Sequence, residues 1–200
     1  MNERECIEKF LTYNASLVIS EVKPSATRTI KKGKESLYDK WIKYGIDFLE
    51  SIYIKFINLR ETDNAIIILI YNEEQLSDYI FRAENNKFLR QLGYSEENKI
   101  DNYLNTLKKR YKEFHCPHEL GVFLGFPLND VKDFINCSNK KCLSCKYWRV
   151  YNDVEAAEEI FSIYDKIKEY TANHILNGIS SYEIVFFVKN LLRAQGTVKT

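Results

Sequence analysis

The sequence predicts an α+β protein, a small and mostly antiparallel sheet packed with several helices in a single domain. Three observations carry that prediction. Ala65–Tyr71 is an unbroken apolar run rich in isoleucine, the pattern of a strand buried on both faces. Residues 51–59 alternate, with Ile52, Ile54 and Phe56 against Tyr53, Lys55 and Ile57, and the polar stretch 60–64 between the two runs makes them a hairpin at the centre of the sheet. From Glu73 onward the apolar residues recur at spacings of three and four, the period of helices packed on one face.

Taken in order, residues 3–13 read as a short helix with Cys6, Ile7, Phe10 and Leu11 on one side. Residues 16–22 read as a strand ended by Lys23-Pro24, because proline lacks the ladder donor and restricts its predecessor. The basic stretch 27–34, with Gly33, reads as an exposed loop, and Leu37, Trp41, Tyr44 and Phe48 mark a helix after it. Leu76, Tyr79, Ile80 and Ala83 form one helical stripe ending near Gly93. Ser95 is the expected N-cap of the next helix, whose stripe is Ile100, Leu104, Leu107, Tyr111 and Phe114. Residues 129–136 form a short helix with Val131, Phe134 and Ile135 inward, and 147–151 an edge strand. Asp153 caps a long helix that buries Val154, Ala157, Ile160, Phe161, Tyr164 and Ile167. Ser180-Ser181-Tyr182-Glu183 resembles a capping box. The helix after it, 184–192, is apolar nearly all round, so it either docks on its own domain or builds a homodimer. The division expected is one domain over residues 1–176 and a C-terminal helical appendage over 177–200.

Composition excludes several classes. An apolar share of 45% in 200 residues supplies a core and rules out a disordered chain. With 29 basic and 28 acidic residues, the charge is too balanced for coating nucleic acid or an anionic membrane. The first residues are charged and lack the apolar stretch of a signal peptide, and no run is long enough to span a bilayer. The expected location is therefore cytoplasmic, with an odd cysteine count and thiols kept reduced.

Four of the five cysteines and two of the three histidines lie between residues 115 and 145. Cys116, Cys137, Cys142 and Cys145 are a candidate metal set, for zinc or an iron–sulfur cluster, since soft thiolates suit both. The gaps after Cys137 let three of them converge from one polar loop. No second C-x2-C exists, and the competing reading is of incidental cysteines. Pro117 suits a first helical turn and sets His118 and Glu119 at a helix N-terminus, where they are candidates for catalytic acid and base. A Cys116–His118 nucleophile pair meets a geometric objection, because residues two apart do not face each other on a helix. Glu119 as a dipole-complementing acid and His118 as a cap form the plainer alternative.

Lys23, with Arg28, Lys31, Lys32 and Lys34, is a candidate ligand-binding residue for an anion, against the alternative of a solvated loop. Trp148 is a candidate pocket wall, against a place in the core. Gly121, Gly125 and Pro127 follow no phosphate-binding fingerprint and serve close packing or helix ends. A helix-turn-helix over 120–136 would carry Asp130 and Asp133 toward phosphates, which speaks against nucleic acid.

The segment Pro117-His118-Glu119-Leu120-Gly121-Val122-Phe123-Leu124-Gly125-Phe126-Pro127-Leu128-Asn129-Asp130-Val131-Lys132-Asp133-Phe134-Ile135, followed by Tyr147-Trp148-Arg149-Val150-Tyr151, resembles an uncharacterised bacterial domain-of-unknown-function family, DUF3793, frequent in anaerobic, spore-forming lineages. Asn14-Ala15-Ser16-Leu17 and Lys23-Pro24-Ser25 resemble its N-terminal motif, so the resemblance covers about residues 5–175. Many relatives carry His-Cys where Tyr13-Asn14 or Asn14-Ala15 stand here, and the four cysteines are not kept throughout. The resemblance implies a fold and a lineage but no reaction, with a lean toward redox or iron handling. The reading is thus a cytoplasmic small-ligand or metal-binding protein. The alternatives are an interaction protein that dimerises through its C-terminal helix, or an enzyme using His118 and Glu119.

Overall fold

The computed structural model describes residues 2–34, 36–136 and 139–194, with side chains described through residue 191. Contacts divide the chain into two units, Met1–Asn72 with Asp165–Thr200, and Glu73–Tyr164.

The first unit holds α1 (Glu3–Ile19), β1 (Ser25–Lys31), α2 (Leu37–Lys40), a π-turn (Trp41–Gly45), α3 (Ile46–Ser51), β2 (Lys55–Glu61) and β3 (Ala65–Tyr71). The sheet is antiparallel in the order β1-β3-β2. Central β3 carries the isoleucine-rich run, with Ile66, Ile68, Leu69 and Ile70 buried, so the expected hairpin holds, but only β3 is central and β2 lies at an edge of the sheet. The register slips between Asn58 and Arg60, a bulge that leaves Leu59 buried.

Two expectations fail here for instructive reasons. Residues 16–22 do not form a strand. The helix continues to Ile19, and Leu17, Val18 and Ile19 are all buried. A short apolar run enclosed on every side has no period that separates strand from helix. Glu21, at φ 65°, then turns the chain, and the Lys23 N–H donates to the Leu17 carbonyl at 3.1 Å, a left-handed helix end. The basic stretch 27–34 is mostly not a loop either. It supplies β1, whose lysine and threonines suit a protected sheet edge.

Smaller differences follow the same logic. The strand expected over 51–59 begins only at Lys55, because Tyr53 at φ 60° ends α3 with a tight turn. In the second unit, the stripe over 73–93 is divided between α4 (Glu73–Ile80) and α5 (Ala83–Gln91), and Ala83 is exposed. Ser95 does not cap a helix. Its hydroxyl accepts from the Glu97 N–H at 3.1 Å, within a turn, and α6 (Ile100–Phe114) starts after Lys99.

The second unit continues with α7 (Leu120–Phe123), α8 (Leu128–Asn136), β4 (Ser144–Cys145), β5 (Arg149–Val150) and the first turns of α9 (Val154–Leu176). The edge strand expected over 147–151 shortens to β5, paired with β4. Asp153 caps α9 as expected, accepting from the Ala156 N–H at 3.0 Å. Ala157, Phe161, Tyr164 and Ile167 form its buried face.

α10 (Ser181–Ala194) starts on the expected capping box, with Ser180 Oγ accepting from the Glu183 N–H and Glu183 Oε2 from the Ser180 N–H. It packs against α1 within the first unit. Ile184, Val185 and Val188 are buried, and Lys189 Nζ donates to the Ile52 carbonyl at 3.2 Å. No helix among the described residues is long and apolar enough to cross a membrane.

Gly45 shows how closely α1 meets the π-turn. A Cβ there would stand 2.7 Å from Trp41 Cε3, 3.1 Å from Ile7 Cγ1 and 3.2 Å from Leu11 Cδ1. Since Trp41, Ile7 and Leu11 are core side chains, they have no room to yield. Gly45→Ala is expected to cost about 1–3 kcal/mol through overpacking, read as a lower midpoint with unchanged slope in urea unfolding.

Candidate functional site

The second unit encloses a cavity of about 310 Å³. That is at the lower end of small-molecule pockets. Its wall is made by the 116–118 turn, α7, α8 and β5. Local chemistry dictates each piece. His115, at φ 62°, ends α6. Pro117 opens a tight turn in which its carbonyl accepts from the Leu120 N–H at 3.1 Å. Gly125, at φ 75°, terminates α7 and sends the chain back into α8. Gly121 lets the two helices touch, since a Cβ there would come within 2.8 Å of Val131 Cγ2.

The wall is held in place by Asp130, which is 4% exposed. Its Oδ2 accepts from Trp148 Nε1 at 2.9 Å. Its Oδ1 accepts from the Tyr151 N–H at 2.9 Å and from Asn152 Nδ2 at 2.8 Å. One carboxylate from α8 therefore fixes both ends of the β5 segment. Trp148, thus oriented, stacks on Phe126 at 5.4 Å and meets the Phe161 ring edge-on at 4.5 Å. Asp130, which a helix-turn-helix would have carried toward phosphates, is internal, because it is the acceptor that the buried indole N–H requires.

Glu119 is likewise buried, at 3% exposure. Arg110 Nε forms an ion pair with its carboxylate, and the Tyr94 hydroxyl donates to it at 3.1 Å. That hydrogen bond from Arg110 is the chief reason the guanidinium pKa is raised, and burial pushes the Tyr94 phenol up. Glu119 does not line the cavity, whereas Cys116, His118, Trp148 and Arg149 do. His118 and Cys116 are exposed. The His118 ring meets Phe134 edge-on at 5.0 Å, and the Arg149 guanidinium lies 5.5 Å from the Phe134 ring centre. Phe134 and Ile135, expected inward, are 39% and 37% exposed; Phe134 serves the cavity rim instead of the core. Phe114, at 56% exposure, lies under the Arg110 guanidinium rather than in the helix stripe's core.

The structure thus gathers Cys116, His118 and Trp148 around one cavity, whose wall does not include Glu119, Lys23, Cys142 or Cys145. Cys142 and Cys145, expected as free thiols, are joined to each other by a disulfide across β4. Cys137 lies outside the described residues. Among the described residues, no three His, Cys, Asp or Glu side chains converge so as to hold a metal ion. Lys23 belongs to the first unit, 8% exposed. Burial, and then the charge of Arg28, bring its pKa down to about 8.

Sequence reasoning missed Asp130 and Arg110 as structural partners. The signal for Asp130 was an acid in the first turn of α8, close in sequence to a tryptophan needing an acceptor. For Arg110, nothing in the spacing pointed across to Glu119.

The fold and the cavity define an α+β protein with an aromatic-walled pocket on a helix–hairpin frame. The chain belongs to an uncharacterised family, described as a protein of unknown function (DUF3793), which matches residues 11–185. No curated protein and no solved structure matches the chain.

Two outcomes follow from these partners. Asp130→Ala strands the Trp148 and Tyr151 donors in the interior and is expected to cost about 2–5 kcal/mol; chemical denaturation followed by tryptophan fluorescence measures it. Lys23 loses its proton near pH 8 in the folded state, whereas the unfolded chain keeps it to about pH 10.4. Between these values the unfolded state binds more protons, so this residue makes stability rise with pH. The melting temperature of Lys23→Met is expected to climb less than that of the parent from pH 8 to 10.

Proposed function

We propose that the protein binds a small, flat, largely apolar molecule carrying one anionic group, seated in the cavity of the second unit. One observation supports this above the others. The cavity has an aromatic wall of Phe126, Phe134 and Trp148; of the charged and imidazole groups that line it, Asp130 is buried and held by its own donors, while His118 and Arg149 stand at exposed positions. An apolar wall supplies affinity by burial, and a cation at the edge orients the ligand. Arg149 suits a carboxylate or sulfonate, because its planar fork meets two oxygens at once. The frame around the cavity is rigid, since Asp130 and Glu119 each hold more than one element, and a preformed pocket spares the ligand the cost of ordering it.

The other readings fit less well. An acid–base pair of His118 and Glu119 would need Glu119 free, and its carboxylate is occupied by Arg110 and Tyr94. A metal or redox role would run through Cys116 and the Cys142–Cys145 pair, and among the described residues no three His, Cys, Asp or Glu side chains gather to hold an ion. Dimerisation through α10 would rest on Tyr182 and Phe186, which are exposed, since Ile184, Val185 and Val188 are already covered.

The anilinonaphthalene sulfonate dye, flat, aromatic and singly anionic, is a suitable probe. It is expected to bind the folded protein saturably, one per chain, with energy transfer from tryptophan. Leu124→Trp, which fills the cavity, should abolish binding, and Arg149→Met should weaken it roughly tenfold. Absence of saturable binding, or unchanged binding in both variants, would overturn the proposal.

A further inference from the structure

The disulfide-linked cysteines lie directly across a strand from a cation of the cavity wall. Cys142 and Cys145 are joined to each other. In the β4–β5 pair, Cys145 stands opposite Arg149 and Ser144 opposite Val150. Residues directly opposite in an antiparallel pair project from the same face, with Cβ atoms about 4.5–5.5 Å apart. Arg149 is in turn a wall residue of the cavity, its guanidinium 5.5 Å from the Phe134 ring centre. Cys145 and Arg149 are both exposed. One face of this short ladder therefore sets a sulfur beside the cation that would orient an anionic ligand.

The cross-link has little to do for the fold. It spans a sequence separation of only 3, and the entropy that a disulfide removes from the unfolded chain shrinks with loop length. The cavity wall is held from elsewhere, since Trp148 and Tyr151, on either side of β5, are bonded to Asp130 from α8. Exposure makes a disulfide labile to passing thiols. Its two states also differ in charge. The disulfide sulfur is neutral, whereas a free cysteine thiol opposite a guanidinium is drawn toward its thiolate.

We infer that the Cys142–Cys145 pair is a redox device that governs the cavity's affinity for anions through Arg149, an inference that rests on the cavity reading and adds the regulation of that site. Closed, the pair leaves the guanidinium to the ligand. Opened, it sets the Cys145 thiolate against the same guanidinium. The reductant is a dithiol. Its thiolate attacks the exposed Cys145 Sγ, the S–S bond breaks, and the electron pair leaves on Cys142 Sγ, which takes a proton from water. The second thiol of the reductant gives its proton to solvent and attacks the reductant sulfur of the mixed disulfide. Cys145 then leaves as the thiolate that Arg149 receives. The dithiol ends as a disulfide, and two electrons have passed to the protein.

The test uses the full chain near pH 8, close to the ordinary thiol pKa, either oxidised in air or reduced with dithiothreitol. Mass spectrometry maps the Cys142–Cys145 linkage in each form. Two dyes are titrated, the anionic anilinonaphthalene sulfonate and the uncharged N-phenyl-1-naphthylamine. Reduction is expected to weaken the anionic dye roughly threefold and to leave the neutral one unchanged. Cys142→Ser combined with Cys145→Ser removes the cross-link without supplying a thiolate, so it should bind the anionic dye like the oxidised parent in either condition. A merely structural cross-link would weaken both dyes on reduction, and the double variant with them. Independently of any ligand, iodoacetamide near pH 7 should alkylate Cys145 of the reduced parent roughly threefold faster than Cys145 of reduced Arg149→Met. If neither dye binds saturably, the cavity reading fails, and the alkylation rates decide the Cys145–Arg149 linkage. Oxidised protein without the Cys142–Cys145 bond, anionic binding indifferent to reduction, or equal alkylation rates would each sink the inference.

Discussion

The constraint on which the candidate site rests is the burial of one carboxylate. Asp130 enters the interior on α8 and there receives three donors from the segment 148–152. A buried charge without donors would be prohibitive, and a buried indole or backbone N–H without an acceptor costs free energy as well. Each side of this arrangement therefore requires the other. The consequence is geometric: β5 cannot move away from α8 without breaking several bonds together. The cavity between them keeps its shape because its wall is tied at the back by charge-assisted hydrogen bonds.

Glu119 anchors its own surroundings in a comparable way. Arg110 from α6 and Tyr94 from the preceding turn meet on its carboxylate, so α6 and the start of α7 share an anchor. The 116–118 turn between them has its ends fixed while His118 and Cys116 remain at the surface. Buried acids thus serve as joints, and the exposed polar groups are left available to a ligand. This division of labour explains why adjacent residues, His118 and Glu119, have different environments despite identical prospects in the sequence.

What could be read from the sequence follows from what a period can encode. The isoleucine run of β3, the capping residues of α9 and α10 and the stripe Ala157, Phe161, Tyr164, Ile167 are local signals, and the structure repeats them. The end of α1 was misread because Leu17, Val18 and Ile19 are enclosed on all sides, which erases the amphipathic contrast. β1 was misread because an edge strand rich in lysine and threonine is hard to tell from a loop. The site was half legible. Cys116, His118 and Trp148 do surround one cavity. The roles of Asp130 and Arg110 depend on partners 18 and 9 residues away, and no local pattern records such pairings. Of the cysteine set, Cys142 and Cys145 pair with each other, because the shortest loop, Cys142-x2-Cys145, closes on itself.

The buried acids of the second unit carry a functional argument. Asp130 and Glu119 are each matched by donors from the protein itself. Such matched sets hold a frame and leave little for a ligand to gain. A ligand in the cavity would therefore draw its affinity from the apolar wall and its orientation from the exposed His118 and Arg149.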